Sequence, residues 1–483
     1  MLKKFSAKIF IKFFNTLCFM KALFVYPNIV TSPKDMSTGV GVLAAVLKKA
    51  GHEVALVDTT FGKTDEEILR IATDFGPDLI AVTTATNDFV YATHISTMLK
   101  NKFDLPVVAG GFHALIAPEE IISKDCFDYV CVGEGEDAIL KLVKALEDNK
   151  SPNKISNLWI KDKKSGKIIK NSIRPLVHDL DELPIPDREI FNYAEYIKWN
   201  RGVATFLSTR GCPYQCTYCI NHFLIKKYTG KGAYVRFRSI DNLFLEIKDV
   251  IKKYGEHVKA IEFYDDTFTL DKKRVEEFCA RYSEEIGIPF DLNVRVNAVN
   301  LETFRLLKKA GCRRVSIGIE SGDEEIRNKV LKRNMSEKEI IDTFRAAKSA
   351  GLGTYAFNMI GVPYETKESI NKTIRLNKIC RPDYVGVSIF NAFRGTELYD
   401  LAKEQGLLKK GYSKSYFYES NINHPNFSEK DLIRIRNSFG FRVFFSRRPL
   451  WAIADLVDKN LAHINEYIFI RSKLLKIVRA IRK

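Results

Sequence analysis

The stretch "STRGCPYQCTYCIN", Ser208 to Asn221, decides how the rest of the chain is read. It sets Cys212, Cys216 and Cys219 within eight residues and offers no fourth cysteine nearby. Three thiols cannot all pair as disulfides, and a closed structural zinc site wants four ligands. His222, three residues past Cys219, could complete a zinc site. The other answer is an iron–sulfur cube, usually held by four thiolates. Three thiolates leave one iron open to a ligand from outside the protein. Gly211 and Pro213 shape a loop able to curl round such a cube.

Downstream and upstream of this loop, short apolar runs alternate with helical patterns. From Gly202 the strands are "ATFLST", "AIEFYDD", "FDLNVRVN", "RVSIGIE", "TYAFNMIG" and "YVGVSIF". Six such units predict a parallel barrel or partial barrel over 201–405, with its chemistry on the loops at the strand carboxyl ends. The cysteines follow the first of these strands. Over 21–147 the runs "KALFVYP", "EVALVD", "LIAVTTA", "PVVAGG" and "YVCVG" alternate with helices. They predict a doubly wound parallel sheet that binds ligands at the strand carboxyl ends. Residues 148–200 read as a linker with a hairpin turning at Ser165-Gly166, and 406–483 as a helical C-terminal extension. The class is α/β.

The 483 residues allow two or three domains, and 46% hydrophobic with 28% charged residues is ordinary for a globular protein. Nine scattered cysteines indicate a reducing compartment. The net charge of +17 gathers at the two ends of the chain, which argues against one continuous nucleic-acid face. Residues 1–20, "MLKKFSAKIFIKFFNTLCFM", form either a basic amphipathic leader or a mis-assigned start, with translation beginning at Met20. The segment from Phe441 repeats the theme with "FRVFFSRRPLW" and "RSKLLKIVRAIRK". A terminal helix packed on its own domain and a membrane contact both remain open there.

"CPYQCTYC" resembles the cluster motif of the radical S-adenosylmethionine (radical SAM) superfamily. The resemblance implies a [4Fe-4S] cluster held by Cys212, Cys216 and Cys219, with the open iron chelating the amino and carboxylate groups of SAM. Tyr218 would lie near the adenine. Asp265 and Asp266, with Glu262, occupy the place where the family binds the SAM amino group; Asp265–Asp266 could equally be a helix N-cap. Arg295 sits in an apolar strand, where burial without a partner is costly, so it is expected to meet a carboxylate. Glu320 corresponds to a glutamate that contacts SAM, or partners Arg295. Gly361, in "IGVPYET", matches a loop that approaches the adenosine, although an ordinary turn would look the same.

The N-terminal segment is similar to the cobalamin-binding, Rossmann-like domain that precedes this barrel in class B radical SAM methyltransferases. The likeness rests on "GGFHALIAPEE" followed by "CVGEGEDAI". It implies that Gly39, Gly41, Thr83, Thr84, Gly110, Gly111, Gly133 and Glu134 surround the corrin and its tail. The loop "YPNIVTSPKDMSTGVGV" lacks the D-x-H-x-x-G histidine, so cobalt would bind without it; His113 is a distant substitute, and loss of the cofactor an alternative. The implied reaction cleaves SAM to a 5′-deoxyadenosyl radical and methylates an unactivated carbon. Cyclisation, oxidation or rearrangement with the same cofactors is the alternative, and a non-catalytic corrinoid carrier the distant one. A tRNA methylthiotransferase would need three more cluster cysteines upstream, where only Cys18, Cys126 and Cys131 stand. Expected partners are a small-molecule substrate, with lipid or isoprenoid suggested by the basic ends and 33 Phe, and a one-electron donor such as flavodoxin or ferredoxin. No nucleic acid is expected. The expected location is cytoplasmic, with peripheral contact at the inner face of the membrane as the variant reading.

Overall fold

A computed structural model describes residues 19–29, 35–162, 165–413, 415 and 417–461. The leader up to Cys18 and the basic stretch "RSKLLKIVRAIRK" lie outside the described residues.

Contacts divide the chain into two compact units, Met1–Pro213 with Leu224–Ile261, and Tyr214–Phe223 with Glu262–Lys483. The first unit is built on a seven-stranded sheet. Its strands are β1 (Lys21–Tyr26), β2 (Glu53–Asp58), β3 (Leu79–Thr83), β4 (Val107–Gly110), β5 (Tyr129–Cys131), β6 (Leu158–Lys161) and β7 (Ile168–Lys170), in the order β2-β1-β3-β4-β5-β6-β7. The first five pair in parallel. Strands β1, β3 and β4 are buried along nearly their whole length, as expected where helices cover both faces. The order reverses between β1 and β3, which opens a crevice at their carboxyl ends. The hairpin anticipated at Ser165-Gly166 forms, with Gly166 at φ 68°. Its strands β6 and β7 extend the same sheet antiparallel from β5.

The chain continues through β8 (Val203–Phe206), β9 (Thr209–Arg210), β10 (Arg236–Phe237), β11 (Ala260–Phe263), β12 (Phe290–Val294), β13 (Cys312–Glu320), β14 (Gly353–Ile360) and β15 (Tyr384–Ile389). A second sheet has the order β15-β14-β13-β12-β11-β8, an open series with two ends, and β12 to β15 pair in parallel. It is the six-stranded partial barrel expected from the alternating runs.

In the second unit, Val315, Ile317 and Ile319 of β13 are fully buried. Behind β12, Phe290 stacks edge-on to Tyr282 and Phe278 with ring centroids 4.7 and 5.4 Å away. Each such aromatic contributes roughly 1.5–3 kcal/mol by leaving water. The helix Glu429–Phe444 of the C-terminal extension buries Leu432, Phe439, Val443 and Phe444 in one core with Ile360 and Ile389 of β14 and β15. That helix begins at a capping box between Ser428 and Asp431. Among the described residues no helix is long and apolar enough to cross a membrane.

Candidate active site

The cysteine loop is shaped by backbone before any side chain is considered. Gly211 has φ 89°, and a Cβ there would collide with the carbonyl oxygen of Tyr234. Cys212 and Cys216 are buried, and Cys219 is half-buried. The Cys219 amide donates to the Cys216 carbonyl at 3.0 Å, closing a turn that leads into the helix Ile220–Lys227. Thr217 ties this turn to the segment after β13: its hydroxyl donates to Val330 O at 2.6 Å and its amide to Leu331 O at 3.3 Å. Asn221 donates to Cys219 Sγ at 3.6 Å and to Asp266 Oδ2 at 2.9 Å. His222 does not turn toward the cysteines; its Nε2 lies 2.9 Å from Glu397 Oε1. The zinc alternative loses its fourth ligand accordingly.

Two arginines converge on Cys216. Arg295, just past β12, donates from Nη1 to Cys216 Sγ at 3.5 Å and from Nη2 to Arg333 O at 2.5 Å. Its guanidinium lies 3.8 Å from the centroid of the Tyr214 ring. The expected carboxylate partner is thus replaced by a sulfur, a carbonyl and an aromatic face. Arg333 is the residue that meets the glutamate. Its Nη2 lies 4.0 Å from Glu320 Oε1 and 2.7 Å from Gly318 O, while Nη1 reaches Cys216 Sγ at 3.7 Å and the Tyr218 hydroxyl at 3.3 Å. Burial alone would weaken the Arg333 charge, but Tyr218, Glu320 and Cys216 facing it more than restore it. Burial likewise pushes the Tyr218 phenol up. Glu320 adopts a left-handed φ of 63° where the β13–β14 register shifts, and a Cβ on Gly318 would strike both Glu320 and Arg333.

The remaining barrel candidates separate. Asp265 is fully buried and its carbonyl accepts from Asn293 at 3.2 Å. Neither Asp265 nor Asp266 caps the following helix; Asp271 does, accepting from the Arg274 amide. Glu262 faces Arg314 at 3.7 Å. Gly361 needs its φ of 77°, but its open side faces Leu432 of the C-terminal extension. Its amide donates to Glu365 Oε2 at 2.5 Å. Burial pushes the Glu365 carboxyl up to about 8. His424 Nε2 holds the same loop at Val362 O, 2.9 Å away.

In the first unit the sheet's carboxyl ends carry three large apolar side chains in the open: Ile29 after β1, Val90 after β3 and Phe112 after β4 (36%, 70% and 61% exposed). Exposed apolar clusters at a switch point mark ligand sites. A Cβ on Gly39 would meet nothing nearer than Ser37 Oγ at 4.0 Å, and on Gly110 nothing nearer than Cys131 at 3.9 Å, so both leave room for a close approach. Gly41 is tighter, against Asp187 O at 3.2 Å. Other residues expected around a corrin have contacts within the protein. Thr84 donates to Gly110 O at 2.7 Å, Gly111 fits only without a Cβ beneath Thr83 and Thr84, and Gly133 makes room for Asn157. Glu134 binds Arg210 at 3.0 Å, Arg236 at 2.8 Å and the Val177 amide at 2.8 Å, so both its oxygens are engaged. His113 is fully buried, its ring 4.3 Å from that of Phe89 and Nδ1 3.2 Å from the Thr86 hydroxyl.

Three cysteines following the first strand of an open parallel barrel, with hydrogen-bond donors on the sulfurs of Cys216 and Cys219, suit an iron–sulfur site that leaves an iron for an outside ligand. Comparison with known proteins makes the class specific. The Radical SAM superfamily model matches residues 206–376, and the B12 binding domain model matches residues 30–143. The chain is 30% identical over 451 residues to an uncharacterized methyltransferase of Pyrococcus horikoshii, covering 91% of this chain and 95% of that protein. It is 25% identical over 406 residues to the anaerobic magnesium-protoporphyrin IX monomethyl ester cyclase of Cereibacter sphaeroides, covering 80% and 64% respectively. In fold it resembles the cobalamin-dependent SAM radical enzyme OxsB with aqua-cobalamin and SAM bound. The TM-score is 0.72 at 17% identity, over 95% of this chain and 75% of that one. The chain belongs to the cobalamin-binding branch of the radical SAM superfamily.

The residues present fit that family's cofactors. Cys216 and Cys219 carry cationic or amide donors on their sulfurs, which suits thiolates bound to iron. Ile29, Val90 and Phe112, exposed at the carboxyl ends of β1, β3 and β4, suit the apolar face of a large macrocycle.

Proposed function

We propose that this enzyme methylates an unactivated carbon of a small-molecule substrate with the help of cobalamin. The observation that carries the reading is the pairing of a B12-type domain with a radical SAM barrel in a chain 30% identical to a methyltransferase over nearly its whole length. When bound, the cluster and SAM supply a 5′-deoxyadenosyl radical and cobalamin supplies the methyl group.

The chain's own residues hold and orient. Cys212, Cys216 and Cys219 ligate the cluster. Tyr218, Asp265, Asp266, Arg295, Glu320 and Gly361 bound the space for SAM, with Glu320 Oε1 4.0 Å from Arg333 Nη2. Gly39 and Gly110, with the exposed apolar side chains of the crevice, receive cobalamin. Ring closure with the same cofactors is the second reading, favoured by the likeness to the cyclase.

The electron comes from a flavodoxin- or ferredoxin-like donor, and the protein works in the cytoplasm. Leu450, Ile453 and Val457 are exposed on one face of the helix Pro449–Leu461, beside Arg447 and Arg448. They support peripheral contact with the inner face of a membrane and a lipid or isoprenoid substrate.

Anaerobic reconstitution with iron, sulfide and hydroxocobalamin tests the reading. Stoichiometric cobalt, a cob(II)alamin EPR signal without histidine nitrogen splitting, and SAM-dependent release of 5′-deoxyadenosine with S-adenosylhomocysteine are expected. A loaded cluster with no retained cobalt would remove methylation from first place.

A further inference from the structure

We infer that Arg333, braced by Arg295, sets the reduction potential of the iron–sulfur cluster through hydrogen bonds to Cys216 Sγ. The inference rests on the cluster reading above and concerns this chain's own residues.

Two guanidinium groups approach one sulfur, at 3.5 and 3.7 Å, and both arginines are more than nine-tenths buried. They are not equivalent. Arg295 donates to the carbonyl of Arg333 itself, so it fixes the backbone from which Arg333 reaches the sulfur. On either side of Arg333, Lys332 and Asn334 hold left-handed φ values of 49° and 51°, which side-chain-bearing residues rarely adopt. The segment before them is a π-helical turn, Ile326–Val330, whose last carbonyl accepts from Thr217 inside the cysteine loop. The whole connection is thereby locked to the cysteines, with Arg333 aimed inward.

A nearby arginine shows what a purely structural one does. Arg327, also fully buried, donates only to the backbone carbonyls of Met335 and Ser321. Arg333 instead turns Nη1 to a ligand sulfur and the Tyr218 hydroxyl. A cluster held at Cys216 would gain negative charge on its sulfurs on taking one electron from the external donor, with no bond made or broken. Fixed cationic donors on a buried sulfur favour that reduced state, because charge interactions are strong where water is excluded.

The test compares wild type with Arg333→Gln, Arg333→Lys and Arg295→Lys after anaerobic reconstitution. Iron and sulfide per chain are measured first. The EPR amplitude of the reduced cluster is then followed against poised potential, without SAM or cobalamin. Arg333→Gln is expected to move the reduction equilibrium about tenfold toward the oxidised cluster, a fall of about 59 mV for one electron. Arg333→Lys keeps the charge but loses the fork and moves it less. Equal potentials in all loaded proteins overturn the inference and leave the cluster reading standing. Failure of wild type to assemble a four-iron cluster overturns the cluster reading itself, and the inference with it. Should Arg333→Gln not load, the two lysine variants decide, and unchanged potentials in both are a refutation.

Discussion

Replacing Glu365 with Gln removes a proton that the fold holds and the unfolded chain releases. The side chain is fully buried, with Oε2 on the Gly361 amide and Oε1 without a partner. Burial moves its carboxyl from near 4.5 to about 8, and the Asp323 charge adds to the effect. His424, from the C-terminal extension, binds the same loop and is itself held toward the neutral form by burial. The sign follows from linkage. The folded state keeps the proton that the unfolded carboxyl gives up above about 4.5. The contribution is complete below that pH, drains as pH rises, and is gone above about 8. At about 1.4 kcal/mol per pH unit the whole span is on the order of 5 kcal/mol, and about 2 kcal/mol of it falls between pH 6 and 8. For a unit of this size that corresponds to a Tm decrease of roughly 5–10 °C. Melting curves of the cofactor-free protein at pH 6, 7, 8 and 9 read it directly. Glu365→Gln accepts the same amide hydrogen bond and is neutral throughout, so its Tm is expected to decline less by that amount, other groups being common to both proteins. Parallel pH profiles for the two would refute the buried, protonated Glu365.

Gly211→Ala must bear a positive φ and a clash with the Tyr234 backbone, a cost of about 1–3 kcal/mol at the residue before Cys212. Iron content after reconstitution should fall well below wild type while far-UV circular dichroism stays unchanged. Glu134→Ala leaves Arg236 buried without its carboxylate and takes one of two from Arg210, with an expected loss of about 3 kcal/mol seen as a lower denaturation midpoint. Phe112→Asp places a charge in the apolar crevice without touching a core contact. Cobalamin retention after desalting should drop severalfold, and Tm should move by less than about 2 °C.

The strands of both sheets were legible because runs such as "LIAVT" and "RVSIGIE" are apolar without alternation, the mark of burial on both faces. The cysteine loop was legible because spacing along the chain carries its chemistry. What escaped depends on partners distant in sequence. Arg333 sits in "LKRNMSE", which reads as a solvated basic loop, and only the left-handed residues beside it turn it inward. Asn334 is the one faint cue, since asparagine tolerates that conformation. Glu134 read as a ligand residue because it follows a glycine at a strand end, yet Arg210 and Arg236 arrive from far downstream to engage it. The hairpin at Ser165-Gly166 was visible, but its docking on β5 was not, as strand pairing leaves no local signature there.

The stitching of the cysteine turn by Thr217, and by the Cys219 amide on the Cys216 carbonyl, bears on how the enzyme comes into being. Helices that start at their own capping boxes, at Thr64, Ser336, Thr366 and Ser428, need no metal to begin. A zinc finger is unfolded until its ion arrives. The cysteine turn is held in part by hydrogen bonds of the backbone and of Thr217, so its shape does not depend on metal–thiolate bonds alone.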